Sequence, residues 1–156
     1  MQHLNLPAYT YKLQQNGQKQ LIFDPFRKKF VALTPEEWVR QHFLHYLINH
    51  LHYPKGLISV ERATSYNNLY KRTDLCVFDQ NGNPGILVEC KAASVPVTQE
   101  VVKQVSTYNQ TIKAPVLVIT NGLDHYCWKV DFKLKKFYPL QQIPSFQQFQ
   151  DLINEK

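Results

Sequence analysis

Nowhere in the 156 residues does an apolar run approach the roughly 20 residues that a membrane-crossing helix needs, so no transmembrane segment is expected. The N-terminus lacks the basic-then-apolar order of a secretory signal, which makes the cytoplasm the expected compartment. The three cysteines, Cys76, Cys90 and Cys127, are odd in number and far apart, with no Cys-x-x-Cys pair. That spacing argues against a zinc ribbon or a disulfide framework and favours reduced, buried thiols. The six histidines form no His-Glu-x-x-His signature and read as packing or helix-surface residues. A helix-turn-helix, a zinc finger and a glycine-rich phosphate loop are all missing, so nothing recognisable reads bases. No repeat, low-complexity tract or linker divides the chain, and a single domain over residues 1–156 is expected.

What is present is an ordinary globular composition, 44% hydrophobic and 19% charged, with a net charge of +6 that favours polyanionic partners without identifying one. Asn16-Gly17 between two extended stretches suggests a hairpin. Asp24-Pro25 is a further turn, and the basic stretch Arg27, Lys28 and Lys29 reads as a solvated loop. Thr34, Pro35 and Glu37 have the N-cap, first-turn proline and third-position acid of a capping box. They should start a helix running to Leu51 or Tyr53, with Trp38, Phe43, Leu47 and Leu51 on its buried face. Beyond Pro54 come a strand around residues 57–62 and a polar loop or bend over residues 63–70. Two strands then flank the turn at residues 79–85, and a helix opens at Thr98. An apolar strand over residues 113–122, another strand after Asn121-Gly122, a turn with Lys133, Lys135 and Lys136, and a last helix from Ser145 complete the order. The pattern is α/β: a mixed central sheet flanked by helices.

The strand containing residues 85–93 is almost wholly apolar, as a strand covered on both faces should be, yet it carries Glu89 and Lys91. With a period of two, both project from one face. Alone, the pair could be a simple salt bridge. Asp74, opening the preceding strand, changes the reading, because the hairpin folds it back beside Glu89. Two carboxylates at short range raise each other's pKa unless a cation intervenes. A hard divalent ion, Mg²⁺ or Mn²⁺, resolves that conflict through oxygen ligands, and a lysine nearby can face a reacting water or phosphate.

Asp74 followed fifteen residues later by Glu89-x-Lys91 resembles the motif of the PD-(D/E)XK nuclease superfamily. Arg72-x-Asp74, the Gln104-x-x-x-Tyr108 pattern on the following helix, and Glu36 and Glu37 at the start of the first helix extend the likeness. They resemble the N-terminal nuclease domain of type I restriction enzyme R subunits. The likeness spans residues 33–122, leaving 1–32 as an N-terminal hairpin extension and 123–156 as a C-terminal strand and helix.

The resemblance implies a restriction-endonuclease-like core and Mg²⁺- or Mn²⁺-dependent DNA cleavage in restriction, repair or DNA defence. Asp74, Glu89 and the Cys90 carbonyl would be metal ligands. Lys91 would orient water or stabilise developing charge. Glu37 would be the acid of the first helix that reaches the metal, with Glu36 as its competitor or a partner of Arg40. Gln104 and Tyr108 would line the site and touch Lys91 or the DNA backbone, unless they belong to an ordinary amphipathic helix. Arg72 would grip a phosphate or pair with Asp74 or Glu89. Type I R subunits continue into a helicase motor, so a stand-alone domain is expected, its specificity supplied by a homodimer or by a helicase or specificity partner chain. The competing readings are a catalytically silent nucleic-acid or protein binding module of the same fold, and a structural domain in which Glu89–Lys91 is only a salt bridge.

Overall fold

The computed structural model describes residues 1–66 and 69–155; for 61–66 and 69–73 it describes the backbone alone. Two sheets are present among these residues. Strands β1 (Leu13–Asn16), β2 (Lys19–Asp24) and β3 (Lys29–Ala32) form a small antiparallel sheet, turned at Asn16-Gly17. Gly17 sits at φ 64, in the left-handed region that such a two-residue hairpin turn requires. Six strands form the main sheet in sequential order: β4 (Ile58–Tyr66), β5 (Leu69–Phe78), β6 (Pro84–Cys90), β7 (Val116–Thr120), β8 (His125–Asp131) and β9 (Lys136–Pro139). All neighbours are antiparallel except β6 and β7. A parallel pair needs a crossover, and α2 (Gln99–Ile112) supplies it.

The two faces of this sheet build two cores. On one, α1 (Pro35–Asn49) and α3 (Phe146–Ile153) pack over Leu75, Val77, Ile86, Val88, Val116 and Val118, with Phe43, Leu47 and Phe149 as large buried anchors. On the other, α2 covers Leu87, Leu117 and Ile119 with Val105 and Tyr108. Strands β6 and β7 are therefore covered on both sides, which explains their near-continuous apolar sequence. Cys76, Cys90 and Cys127 are buried thiols, none of them in a disulfide. No helix among the described residues is long and apolar enough to cross a membrane.

Several local expectations change. Thr34 caps α1 by accepting from the Glu37 N–H, but the Glu37 carboxylate turns to arginines instead of closing the box. The helix ends at Asn49, short of the expected Leu51 or Tyr53, and Tyr53 is instead a buried anchor whose hydroxyl donates to the Pro144 carbonyl at 2.7 Å. Most of residues 63–70, read as a loop, belong to β4 and β5, paired through Tyr66↔Leu69. Asp74 lies inside β5 rather than opening it, and Lys91 falls just beyond the end of β6. Lys29, expected in a solvated loop, opens β3, and Lys136, expected in a turn, opens β9; both strands are short and their side chains mostly exposed. Arg27 is not in a solvated loop; it folds inward onto two acids.

Candidate active site

The β5–β6 ladder ends at Leu75↔Val88. Past that pair β5 stays with β4, and the Cys90 N–H donates at 2.6 Å to Asp74 Oδ2 in place of a ladder bond. The strands thus part where Asp74 and Glu89 face one another. In a paired strand a residue's N–H and C=O leave on the same side, so the Cys90 carbonyl also points towards Asp74. Three oxygen-bearing groups converge at this opening: two carboxylates and one carbonyl.

Each carboxylate has its own supports. Glu89 is buried; it accepts from the Tyr108 hydroxyl at 3.0 Å, and Lys91 Nζ stands 3.5 Å from its other oxygen. Burial and the Glu89 carboxylate push the Tyr108 phenol far above its usual range, so it remains a donor. Asp74 is held by Cys90 and lies 3.9 Å from the Arg40 guanidinium. Its pKa is nevertheless raised to about 7, first by burial and next by Glu89, with Glu36 adding to the rise and Cys90 and Arg40 opposing it. Burial and the Glu89 charge thus outweigh these supports at Asp74.

A second cluster of charges lies beside it. Asp24 caps the turn after β2, accepting from the Phe26 and Arg27 N–H groups, and its other oxygen binds Arg27 Nε. Arg27 also bridges both Glu37 oxygens at 3.0 Å, while Arg40 and Gln41 hold Glu37 from within α1. Acids and bases alternate from Asp24 through Arg27, Glu37 and Arg40 to Asp74. Helical spacing could have shown Arg40 and Gln41 on the Glu37 face. Nothing in the local sequence marks Asp24 or Arg27.

Asp74, Glu89, Lys91 and Tyr108 therefore come together at one opening, with Cys90 contributing backbone. Gln104 lies exposed one turn before Tyr108 on α2. Glu37 is engaged by two arginines, whereas Glu36 is exposed and acts on Asp74 through its charge. Arg72 lies in β5 with its side chain outside the described residues. Among the described residues no three His, Cys, Asp or Glu side chains cluster to hold a metal ion. The two carboxylates with the Cys90 carbonyl are an all-oxygen set of the kind Mg²⁺ accepts, since that ion is usually bound through one or two carboxylates and completes its shell with water and phosphate. The raised Asp74 pKa, to which Glu89 contributes, fits such an ion.

A mixed sheet with helices on both faces, opened beside an Asp, Glu and Lys, defines a restriction-endonuclease-like domain. The family model described as type I restriction enzyme R protein N terminus (HSDR_N) matches residues 35–144, and the chain belongs to that family. A solved fragment assigned as an HsdR subunit of a type I restriction enzyme from Vibrio vulnificus YJ016 is 18% identical with a TM-score of 0.55; the match covers 78% of this chain and 25% of that one. The chain thus spans a quarter of that fragment, and at this identity the likeness is one of fold. A protein assigned as a nuclease of the DUF820 group from Anabaena variabilis ATCC 29413 is 10% identical, with 88% of each chain covered and a TM-score of 0.47. No curated protein sequence matches significantly.

Proposed function

We propose that this domain is a divalent-metal-dependent deoxyribonuclease acting on DNA in the cytoplasm, in restriction, repair or DNA defence. The observation that carries the reading is the Asp74–Glu89 pair where β5 and β6 part, with Glu89 buried, Asp74 half-buried and raised to about 7 in pKa by burial and by Glu89, and Lys91 beside them. Asp74, Glu89 and the Cys90 carbonyl would hold Mg²⁺ or Mn²⁺, which when bound supplies charge to a phosphate oxygen and acidity to water.

The chain's own groups do the rest. Tyr108 fixes one Glu89 oxygen by hydrogen bonding, so that carboxylate keeps a single orientation. The Cys90 N–H does the same for Asp74, with the Arg40 guanidinium 3.9 Å away as an ion pair. The Lys91 ammonium, about a quarter exposed, orients the attacking water and meets the charge that grows on phosphorus-bound oxygen as the new P–O bond forms and the bond to the leaving sugar oxygen breaks. Gln104 is placed to meet the DNA backbone, and Arg72 is assigned a phosphate contact. Glu36, exposed and acting on Asp74, is better placed than Glu37 to reach the centre through water. Sequence specificity is left to a second copy or to a helicase or specificity chain.

The test is incubation of supercoiled and linear DNA with Mg²⁺ or Mn²⁺, with EDTA, and with a folded Lys91→Ala protein. Metal-dependent cutting that disappears in Lys91→Ala is the expected result. Absence of cutting of any substrate would leave the catalytically silent binding module.

A further inference from the structure

Strand register places one aromatic side chain in the same row as the acidic centre. Glu89 pairs with Ile119, and Ile119 pairs with Tyr126. Residues paired across a sheet share a face, so Tyr126 stands on the Glu89 face two strands away, about 10 Å at a strand spacing of about 4.8 Å. Core packing would favour burying a ring there, yet Tyr126 is 43% exposed. Trp128, two residues on and so on the same face, holds its ring nearly parallel to that of Tyr126, with centroids 6.1 Å apart and 16° between planes. Further along β8 on this face is Val130, which with Phe137, the α2 residues Ser106 and Gln110, and Lys113 just past the end of α2 lines a cavity of about 330 Å³, joined by Lys135. Acidic centre, paired rings and a lysine-bearing cavity therefore follow one another along the β8 flank of α2.

We propose that this flank is a track for a single strand of DNA, with a base stacked on the exposed ring of Tyr126 and a downstream phosphate near Lys113 and Lys135. The inference rests on the nuclease reading and adds to it the form of substrate. Stacking on an aromatic plane needs an unpaired base, because in a duplex both base faces are already covered. The two lysines supply charge complementary to a phosphate, although Asp131 at the same cavity tempers it. From the Glu89 row to the Val130 row β8 adds four residues, about 13 Å, a distance suited to a few nucleotides.

The test uses the whole chain in EDTA, titrated with a short oligothymidylate and with a duplex of equal length at low salt. Tryptophan fluorescence is the readout, since Trp128 and Trp38 are the two tryptophans and only Trp128 adjoins the track. Trp128 emission should be quenched by the single strand, which should bind more tightly than the duplex. Tyr126→Ala should weaken single-strand binding about tenfold, while Tyr126→Phe keeps it. Lys135→Ala, at an exposed position, should weaken it by a smaller factor and flatten its salt dependence. Duplex binding as tight as single-strand binding, or a folded Tyr126→Ala protein indistinguishable from wild type, would overturn the track. Without metal the outcome is independent of cleavage. A chain that binds single strands through Tyr126 but never cuts loses the nuclease reading and keeps this one. A chain that cuts DNA with Tyr126→Ala unaffected does the reverse.

Discussion

Two acid pairs lie side by side and differ in what surrounds their carboxylates. Asp24 and Glu37 are matched by Arg27 and Arg40 in a hydrogen-bonded network that ties the small sheet to α1. Asp74 and Glu89 have Lys91 on one side and Arg40, already bound to Glu37, at 3.9 Å on the other. Burying charge is tolerable when each group has a partner of opposite sign. The first pair satisfies that rule within the protein and holds structure. In the second, Asp74 keeps a pKa raised to about 7 by burial and by Glu89, despite the Arg40 guanidinium. Acids within a fold mark no function by themselves; two whose proximity raises a pKa at an opening of the sheet do.

The comparison sharpens most under substitutions of opposite expected sign. Glu37→Gln leaves two arginines around one carboxylate and should destabilise by about 3–5 kcal/mol in urea unfolding. Asp74→Asn keeps an acceptor for the Cys90 N–H while removing the repulsion. In metal-free protein at pH 8 it should stabilise by about 1–3 kcal/mol. Equal losses from both changes would erase the distinction.

The pH dependence follows from the same group. Asp74 holds its proton more tightly when folded, at about 7 against an ordinary 3.8. Its contribution to stability is therefore fully present below the ordinary value and is lost as pH rises through about 7. The advantage of Asp74→Asn over wild type should accordingly grow between pH 4 and pH 8, as read by thermal unfolding, and shrink when Mn²⁺ is added. Tyr108→Phe removes the hydroxyl that holds Glu89 and should cost about 1–2 kcal/mol in the same assay. Lys91→Ala has the smallest expected effect on stability, within about 1 kcal/mol, because the lysine is partly exposed. Its effect belongs to cleavage.

What the sequence made legible was local or strand-bound. The Thr34 cap, the Asn16-Gly17 hairpin and the covered β6 strand each follow from a few neighbouring residues. Asp74, Glu89 and Lys91 stand out because charge in an apolar strand demands a reason. The Asp24–Arg27–Glu37 network was hidden because it depends on how a small sheet docks on α1, and Arg27 beside two lysines looks like any solvated run. The pairing of β4 with β5 beyond Thr73 shows only in the backbone register, and the short strands β3 and β9 are held by backbone pairing with side chains mostly exposed, so no alternation marks them. The position of Tyr126 relative to Glu89 became visible only through the register of β6, β7 and β8.

The most direct measurement is calorimetric titration of Mn²⁺ into wild type and Asp74→Asn at pH 8. Saturable binding to wild type that Asp74→Asn abolishes while staying folded is the result expected of a metal centre. Absence of binding by wild type, or binding unchanged in Asp74→Asn, would contradict it.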